Sequence, residues 1–353
     1  VTHNISGRTL VFDLGGGTFD VTVLDVRGNN VDIVCSRGHH QLGGYDFDQR
    51  LLGRFTELYR KEKGGALFST PAEKAEWEDE AEEAKKTLSN RAQVRKMLRG
   101  SNGNLPVVVT REEFEEDIAS HLASIDMLVE TALEEAGAEP SAFQQIVLAG
   151  GSARMPVVRR RLQRIFGSVP IIAANVDECV ALGAALYAGL RLVDEDPARV
   201  PGSVALGLSD IRLVDVCSHS YGTLCIGMKD EKTREKGLVN SIIIPKNTPV
   251  PAAVTETYFT IEGGQTNVKA RVTQGEDTDP EYVNVLFECV IDLPPNRPAG
   301  RPIEVTYSYD ENAVMHCTFR DVESGREVKA DLDIAKSPGS HAEQATVSDF
   351  VVD

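Results

Sequence analysis

The sequence predicts an α/β lobe followed by an all-β half, and three observations carry that reading. Ahead of Pro197, short apolar strands alternate with apolar stripes at helical spacing. From Pro197 to Gly207 the composition turns to Pro, Gly and Ala, as at a domain boundary. Over residues 217–335 there remain only short runs separated by turn residues, among them Ser241 to Ile244, Thr255 to Ile261, Asn267 to Thr273, Val283 to Ile291, Ile303 to Tyr309 and Val314 to Phe319.

Each element has its own warrant. Thr9 to Asp13 is a short apolar run, Gly15 to Gly17 interrupt it, and Val21 to Val26 resumes with alternation. A turn at Arg27 to Asn30 then leads to a strand from Val31 to Cys35, so the glycines sit in a meander with no helix behind them. Leu51, Leu52, Phe55 and Leu58 recur at helical spacing. A second, very acidic helix opens with Thr70 as cap, Pro71 in the first position and Glu73 completing a capping box, and ends near Leu88. Strands at Gln93 to Leu98 and Leu105 to Val109 precede another capping box, Thr110 with Glu113. The stripe Phe114, Ile118, Leu122, Ile125 and Val129 carries one helix to Gly137. A buried strand, Ile146 to Ala149, the turn Gly150-Gly151-Ser152 and a helix from Pro156 to Phe166 follow. The last helix starts after Asp177, and Gly183 and Gly189 among its alanines suit close helix packing. The tail, residues 336–353, has no pattern and is expected to be disordered.

Composition excludes several functions. Among 353 residues, 54 acidic against 37 basic side chains give a net charge of -17, the wrong sign for gripping a nucleic-acid backbone. Arg159, Arg160, Arg161 and Arg164 cluster on one predicted helix and read as a solvated face. No stretch approaches the roughly 18 apolar residues of a membrane span, and no signal-peptide pattern opens the chain. A cytoplasmic protein with no membrane or nucleic-acid partner is expected. Cys35, Cys179, Cys217, Cys225, Cys289 and Cys317 form no C-x-x-C pair, the histidines lack metal spacing, and the cysteines read as buried small hydrophobes. The chain begins with Val1 and enters a strand within a few residues, so it reads as a piece of a longer polypeptide.

The strongest local signal is D-L-G-G-G-T-F-D, Asp13 to Asp20. Gly15, Gly16 and Gly17 between two strands let successive backbone N–H groups face one concavity, an anion nest with positive φ that can approach a polyphosphate without Cβ interference. Asp13 beside it is placed to hold a magnesium ion through water, and the Thr18 hydroxyl to touch a phosphate or an attacking water. A glycine-rich hairpin turn is the bland alternative. A second glycine turn, Gly150, Gly151, Ser152 and Arg154, joins a strand to a helix, where ribose or phosphate oxygens could sit over the helix start. On the acidic helix Glu82, Lys85, Lys86 and Ser89 share about one face, a set that is most often merely solvated.

Taken in this order, the segments resemble the 70-kDa heat-shock family, the DnaK-type chaperones. The resemblance rests on D-L-G-G-G-T-F-D-V, L-G-G-Y-D-F-D from Leu42, A-K-K-T-L-S from Ala84, V-L-A-G-G-S-A-R-M-P from Val147 and N-V-D-E-C-V-A-L-G-A-A from Asn175. It continues through D-I-R-L-V-D-V from Asp210, I-P-K-N-T-P-V-P from Ile244 and R-V-T-Q-G-E from Arg271, covering residues 8–335. It implies an actin-like, ribonuclease H-like ATPase lobe with a crossover helix over 1–200, an interdomain linker over 201–216, and a peptide-binding β-sandwich over 217–335.

By that similarity ATP or ADP with Mg2+ is the cofactor. Gly15, Gly16, Gly17 and Thr18 would bind phosphates, Asp13 would hold the hydrated metal, and Asp13 and Thr18 are the catalytic candidates. Glu82, Lys85, Lys86 and Ser89 would meet the adenosine, with Gly150, Gly151, Ser152 and Arg154 on its other side and Asp177 near the nucleoside. Asp177 also reads as a helix N-cap. Tyr258, Gln265, Val268 and Ala270 match arch and pocket positions for an extended client polypeptide. A J-domain co-chaperone and a nucleotide-exchange factor are the implied further partners.

The sequence departs from the family in several places. Lys86 stands where the family has an adenine-stacking Arg, and an ammonium offers no flat face. Tyr45 replaces an acidic residue, Arg212 interrupts the linker, Ala270 is small for the pocket, and the loop from Met228 to Gly237 looks inserted. The family's first phosphate loop, its catalytic lysine and a further magnesium-side acid would lie upstream of Val1, and its helical lid is not seen, so this chain alone is expected to hydrolyse ATP negligibly. Two other readings compete. One is another actin-like protein, such as a sugar kinase or filament protein, which would not need a linker and an all-β half; the other is a peptide-binding module indifferent to nucleotide.

Overall fold

In a computed structural model the described residues are 6–169, 171–173, 175–202, 207, 208, 210–230, 235–310, 312 and 314–334. The expected disordered tail, and residues 231–234 of the loop expected to be inserted, lie outside them. The chain divides into two compact units between Leu213 and Val214.

The first unit is mixed α/β. In chain order it holds β1 (Gly7–Leu14), β2 (Phe19–Arg27), β3 (Asn30–His39), α1 (Gly44–Lys63), α2 (Pro71–Asn90), β4 (Gln93–Gly100), β5 (Gly103–Thr110), α3 (Arg111–Asp117) and α4 (Ala119–Glu135). Then come β6 (Gln145–Ala149), α5 (Pro156–Phe166), β7 (Ile171–Ala173), α6 (Cys179–Glu195) and β8 (Arg212–Val214). The main sheet has the order β7-β6-β1-β2-β3-β8, antiparallel through β1, β2 and β3 and parallel from β1 through β6 to β7. Alternation along β1 buries Leu10, Phe12 and Leu14 completely. Phe12 shares one small void with Leu122, Ile125 and Val129 of α4 and Val158 and Leu162 of α5, so those two helices cover this face of the sheet. The β4-β5 hairpin supports α1 and α2: the Tyr59 hydroxyl donates to the Gly103 carbonyl at 2.8 Å and Lys96 engages Glu80, while the two helices meet where Phe55 stands edge-on to Trp77 at 6.4 Å.

Both capping boxes form as the sequence requires, Thr70 with Glu73 and Thr110 with Glu113. Four expectations need correction. The stripe from Phe114 to Val129 is broken at Ile118, where the backbone leaves helical geometry and divides α3 from α4. No residue of α6 is buried, and a Cβ at Gly183 would meet nothing, although Gly189 lies against Leu208. The arginines of α5 are not simply solvated: Arg161 and Arg164 both engage Asp126, Arg160 engages Glu115, and Arg159 donates to the Ile171 carbonyl at 3.0 Å. Of the cysteines, Cys179, Cys225 and Cys289 are only half-buried. At the sheet edge, Arg212 donates its N–H to the Asn29 carbonyl at 3.0 Å, so part of the expected linker is a strand.

The second unit is built of strands: β9 (Tyr221–Asp230), β10 (Glu235–Ile244), β11 (Ala252–Phe259), β12 (Asn267–Gln274), β13 (Asn284–Asp292), β14 (Pro302–Tyr309), β15 (Val314–Asp321) and β16 (Glu327–Asp333). They form two antiparallel sheets of four, ordered β10-β9-β12-β13 and β11-β14-β15-β16. One apolar cluster is shared by both, with Tyr221, Ile244 and Val272 from the first sheet and Tyr307, Met315 and Phe319 from the second.

Candidate functional site

The site begins at the glycine turn between β1 and β2. Register places Asp13 opposite Asp20 on β2 and Ala149 on β6, so two carboxylates flank one end of the hairpin. Burial raises the Asp13 carboxyl above its ordinary range. Asp20 rises too, first through burial and then through the neighbouring Asp13 charge, against smaller opposing effects of His40 and the Thr18 hydroxyl. The turn closes by a hydrogen bond from the Gly15 N–H to the Thr18 carbonyl at 3.0 Å. This overturns part of the expected nest: the Gly15 N–H is used internally, and none of Gly15, Gly16 and Gly17 has a left-handed φ. Gly16 and Gly17 are exposed, and a Cβ on either would meet no protein atom, so they present bare backbone to an open space.

Three elements grip that turn. At the start of α1, Gly44 N–H donates to the Gly15 carbonyl at 3.0 Å and Tyr45 N–H to the Gly16 carbonyl at 2.7 Å. This approach needs Gly43, where a Cβ would stand 2.7 Å from the backbone of Gly16 and Gly17. From the turn after β6, Ser152 Oγ donates to the same Gly15 carbonyl at 2.9 Å. Gly150 has φ of 76°, and a Cβ there would run into the Leu14 carbonyl. From α2, Lys85 Nζ donates to the Gly44 carbonyl at 2.9 Å and to Asp48 Oδ2 at 2.8 Å. Asp48 and Lys85 are both buried, Asp48 Oδ1 is left without a partner, and burial pushes that carboxyl up to about 6 despite the opposing pull of Lys85.

These groups surround a cleft of about 800 Å³. Of the residues singled out from sequence, Gly16, Gly17, Glu82, Lys85, Lys86, Ser89, Gly151, Ser152, Arg154 and Asp177 line it; Gly15, Thr18, Gly150 and Asp13 do not. Tyr45 and Asp48 also line it, and they, with Gly43, Gly44 and Asp20, were missed as site residues although the motifs from Leu42 and Asp13 contain them. The charged groups of the wall occur as pairs: Lys85 with Asp48, Lys86 with Glu82 at 3.1 Å and Glu83 at 2.9 Å, and Arg154 with Asp177. Asp177 is therefore not a helix cap; Glu178 precedes α6 and makes no side-chain cap bond. Ser89 Oγ donates to the Lys85 carbonyl at 3.1 Å. The cleft thus offers bare glycine backbone together with ammonium, carboxylate and hydroxyl groups, a suitable set for a ligand that carries both an anionic group and polar hydroxyls.

A family model described as Hsp70 protein matches residues 3–351. The chain belongs to the Hsp70 family. It is similar to the chaperone protein DnaK of Thermotoga neapolitana, 33% identical over 329 residues, which cover 91% of this chain and 52% of that protein. The DnaK proteins of Thermotoga petrophila and of Thermotoga sp. strain RQ2 match with the same identity and coverage. The chain spans about half the length of the curated relatives it matches.

In this Hsp70-family chain the four candidate peptide contacts fall in the second unit. Tyr258 on β11 and Val268 on β12 are half-buried against the shared apolar cluster, and Ala270 on β12 is buried within it. The Tyr258 hydroxyl donates to Ser241 Oγ at 3.0 Å, tying the ring between sheets. Gln265 folds back on its own loop, accepting from Ile261 N–H at 3.3 Å and donating to the Asn267 carbonyl at 2.8 Å. Tyr258, Val268 and Ala270 thus all belong to the apolar cluster of the two sheets or pack against it, while Gln265 braces the loop between their strands. Among the described residues, no helix is long and apolar enough to cross a membrane.

Proposed function

We propose that this chain is part of an ATP-dependent molecular chaperone. In this reading the cleft of the first unit takes ATP or ADP, and the second unit is a β-sandwich that holds extended apolar stretches of unfolded polypeptide. The observation that carries it is convergence. A hairpin at residues 13–20, a helix face at 82–89 and a turn at 150–154 meet at or around one cleft, although Gly15 and Ser152, which are hydrogen-bonded there, stand 137 residues apart. Phosphates would lie against Gly16 and Gly17, where backbone is bare, and the adenosine against Glu82, Lys85, Lys86 and Ser89. Gly151, Ser152, Arg154 and Asp177 form the facing wall.

Asp13 and Asp20 fit a hydrated Mg2+. They are adjacent, oxygen-only and partly desolvated, and each would lose its raised pKa by gaining a cation. Bound there, the ion would neutralise charge on the terminal phosphates. Asp13 would hold its water shell, Asp20 would complete the anionic rim with the Thr18 hydroxyl bonded to it, and the hairpin N–H groups of Gly16 and Gly17 would orient phosphate oxygens. Client binding would add backbone hydrogen bonds along a strand and bury side chains near Tyr258 and Val268. J-domain and exchange-factor partners belong to the same reading.

The test is calorimetric titration of the chain with ADP and Mg2+, with Gly16→Val in parallel. Because a Cβ at Gly16 meets only open space, the variant should fold normally and lose binding. Failure of the parent chain to bind ADP, or undiminished binding by Gly16→Val, refutes the nucleotide assignment. Titration of an apolar heptapeptide against Tyr258→Ala and Val268→Phe, with melting curves, tests the second unit. Loss of binding with a preserved melt supports the cleft, whereas unchanged binding or loss only with unfolding removes its support.

A further inference from the structure

Asp48 has no part in the scheme so far, yet it is the most unusual charged group of the cleft. It is 7% exposed, it holds Lys85 at 2.8 Å through one oxygen, and its other oxygen is buried without a partner. Lys85 in turn donates to the Gly44 carbonyl, and the Gly44 N–H donates to the Gly15 carbonyl. A continuous chain of polar contacts therefore runs from α2, through the first turn of α1, to the glycine hairpin. We propose that Asp48 is a positioning residue for the cleft: by fixing the Lys85 ammonium on Gly44 it locks α2 and the hairpin into one arrangement that a nucleotide can bridge. This rests on the nucleotide reading of the cleft, and it adds a regulation to it, since the lock depends on the charge of Asp48.

The charges acting on Asp48 are Lys85, Glu82 and Lys86, all on α2. His121 of α4 stands edge-on to the adjacent Phe47, and its pKa is lowered first by burial and then by Arg50, against Asp46, while Arg154 and Asp177 neutralise one another. The lock weakens as pH falls through about 6, where Asp48 takes up a proton and ceases to attract Lys85. Stability moves the other way. The folded carboxyl binds its proton more readily than the unfolded one, whose value is 3.8, so the contribution of Asp48 to stability rises as pH falls through that window. Loss of the lock is thereby separable from unfolding.

The experiment has two arms, each run across the pH range around 6 on the full chain and on Asp48→Asn. The first is hydrogen exchange of the Tyr45 and Gly44 amides, corrected for intrinsic rate, with no nucleotide present. Protection should fall about tenfold on acidification in the parent chain and be low and flat in the variant, as expected for one charge-assisted contact. The second is the dissociation constant for ADP with Mg2+, expressed as the ratio of variant to parent, in which protonation of the ligand itself cancels. That ratio should be about tenfold above pH 7 and approach one in acid. Parallel profiles for the two proteins, or a parent chain without a step near 6, would overturn the proposal. Absence of ADP binding in both proteins would refute the nucleotide reading instead, while the exchange arm still decides the lock. Should Asp48→Asn not fold, Lys85→Met removes the same tether and must show the same flat exchange profile.

Discussion

Replacing Gly43 by Ala isolates the contact that brings α1 onto the glycine hairpin. The added Cβ would lie 2.7 Å from the carbonyl carbon and oxygen of Gly16 and from the nitrogen of Gly17, against 3.4 Å for ordinary contact. Backbone cannot swing aside as a side chain can, so the two segments must part by about 0.7 Å. That separation stretches the bonds from Gly44 and Tyr45 to the hairpin carbonyls, each contributing about 1 kcal/mol. Crowding adds about 1 kcal/mol or more. Backbone strain adds nothing, because Gly43 has φ of -167°, an extended conformation open to Ala. The expected loss is about 3 kcal/mol, which lowers a urea midpoint by about 1 M or more at ordinary m values. Trp77 is the sole tryptophan and packs against Phe55, so its fluorescence reports the first unit without interference from the second. Gly16→Ala is the control: it adds the same atom to open space and should stay within about 0.5 kcal/mol of the parent. A Gly43→Ala midpoint indistinguishable from that of Gly16→Ala would refute the claim that this glycine permits the approach.

Two further predictions concern the second unit. Arg297 meets Asp321 through two bonds of 2.6 and 3.0 Å, so Arg297→Met should destabilise this unit by leaving that carboxylate without its cation. Hydrogen exchange of β15 reads the effect, and Arg297→Met with Asp321→Leu should recover most of it; no recovery would mean that packing, not an isolated charge, was lost. His316 has its pKa raised first by Asp331 and then by Asp310, against the opposing effect of burial. Its contribution is complete below the ordinary histidine value and disappears as pH rises through the raised one, so His316→Gln should lower stability at about pH 5.5 and not at about pH 8.5. A difference of equal size at both values would show that charge plays no part.

What the sequence made legible was what neighbouring residues decide among themselves. Thr70 with Glu73 and Thr110 with Glu113 satisfy orphan N–H groups within four residues, and both boxes form. Pro71 and Pro156 open helices where their missing N–H costs nothing. The glycine hairpin and its apolar alternation are equally local. The break at Ile118 was not visible, because the apolar stripe runs through it without interruption and nothing in the spacing marks a change of axis. On α5 the partners of Arg160 and Arg161 lie 45 and 35 residues away, so the charged face could only be read as solvated.

The candidate site shows the same limit more sharply. Gly15, Gly16 and Gly17 were read both for positive φ and for an approach free of Cβ; their φ values need no such freedom, and at Gly16 and Gly17 the exposed backbone carries no side chain. Gly43, a glycine that the fold geometry does need, lies outside the conspicuous triplet, because its need arises from a backbone 27 residues earlier in the chain. Lys85 was taken for a ligand contact, and it does line the cleft, but its buried ammonium already serves Asp48 and Gly44. Such a residue carries two duties that no spacing rule separates: a ligand would meet a group whose position has been set by another charge. Mutating Lys85 alone would therefore confound loss of contact with loss of the lock. Titrating Asp48 separates them, since protonation leaves the Lys85 side chain in place and removes only the charge that holds it.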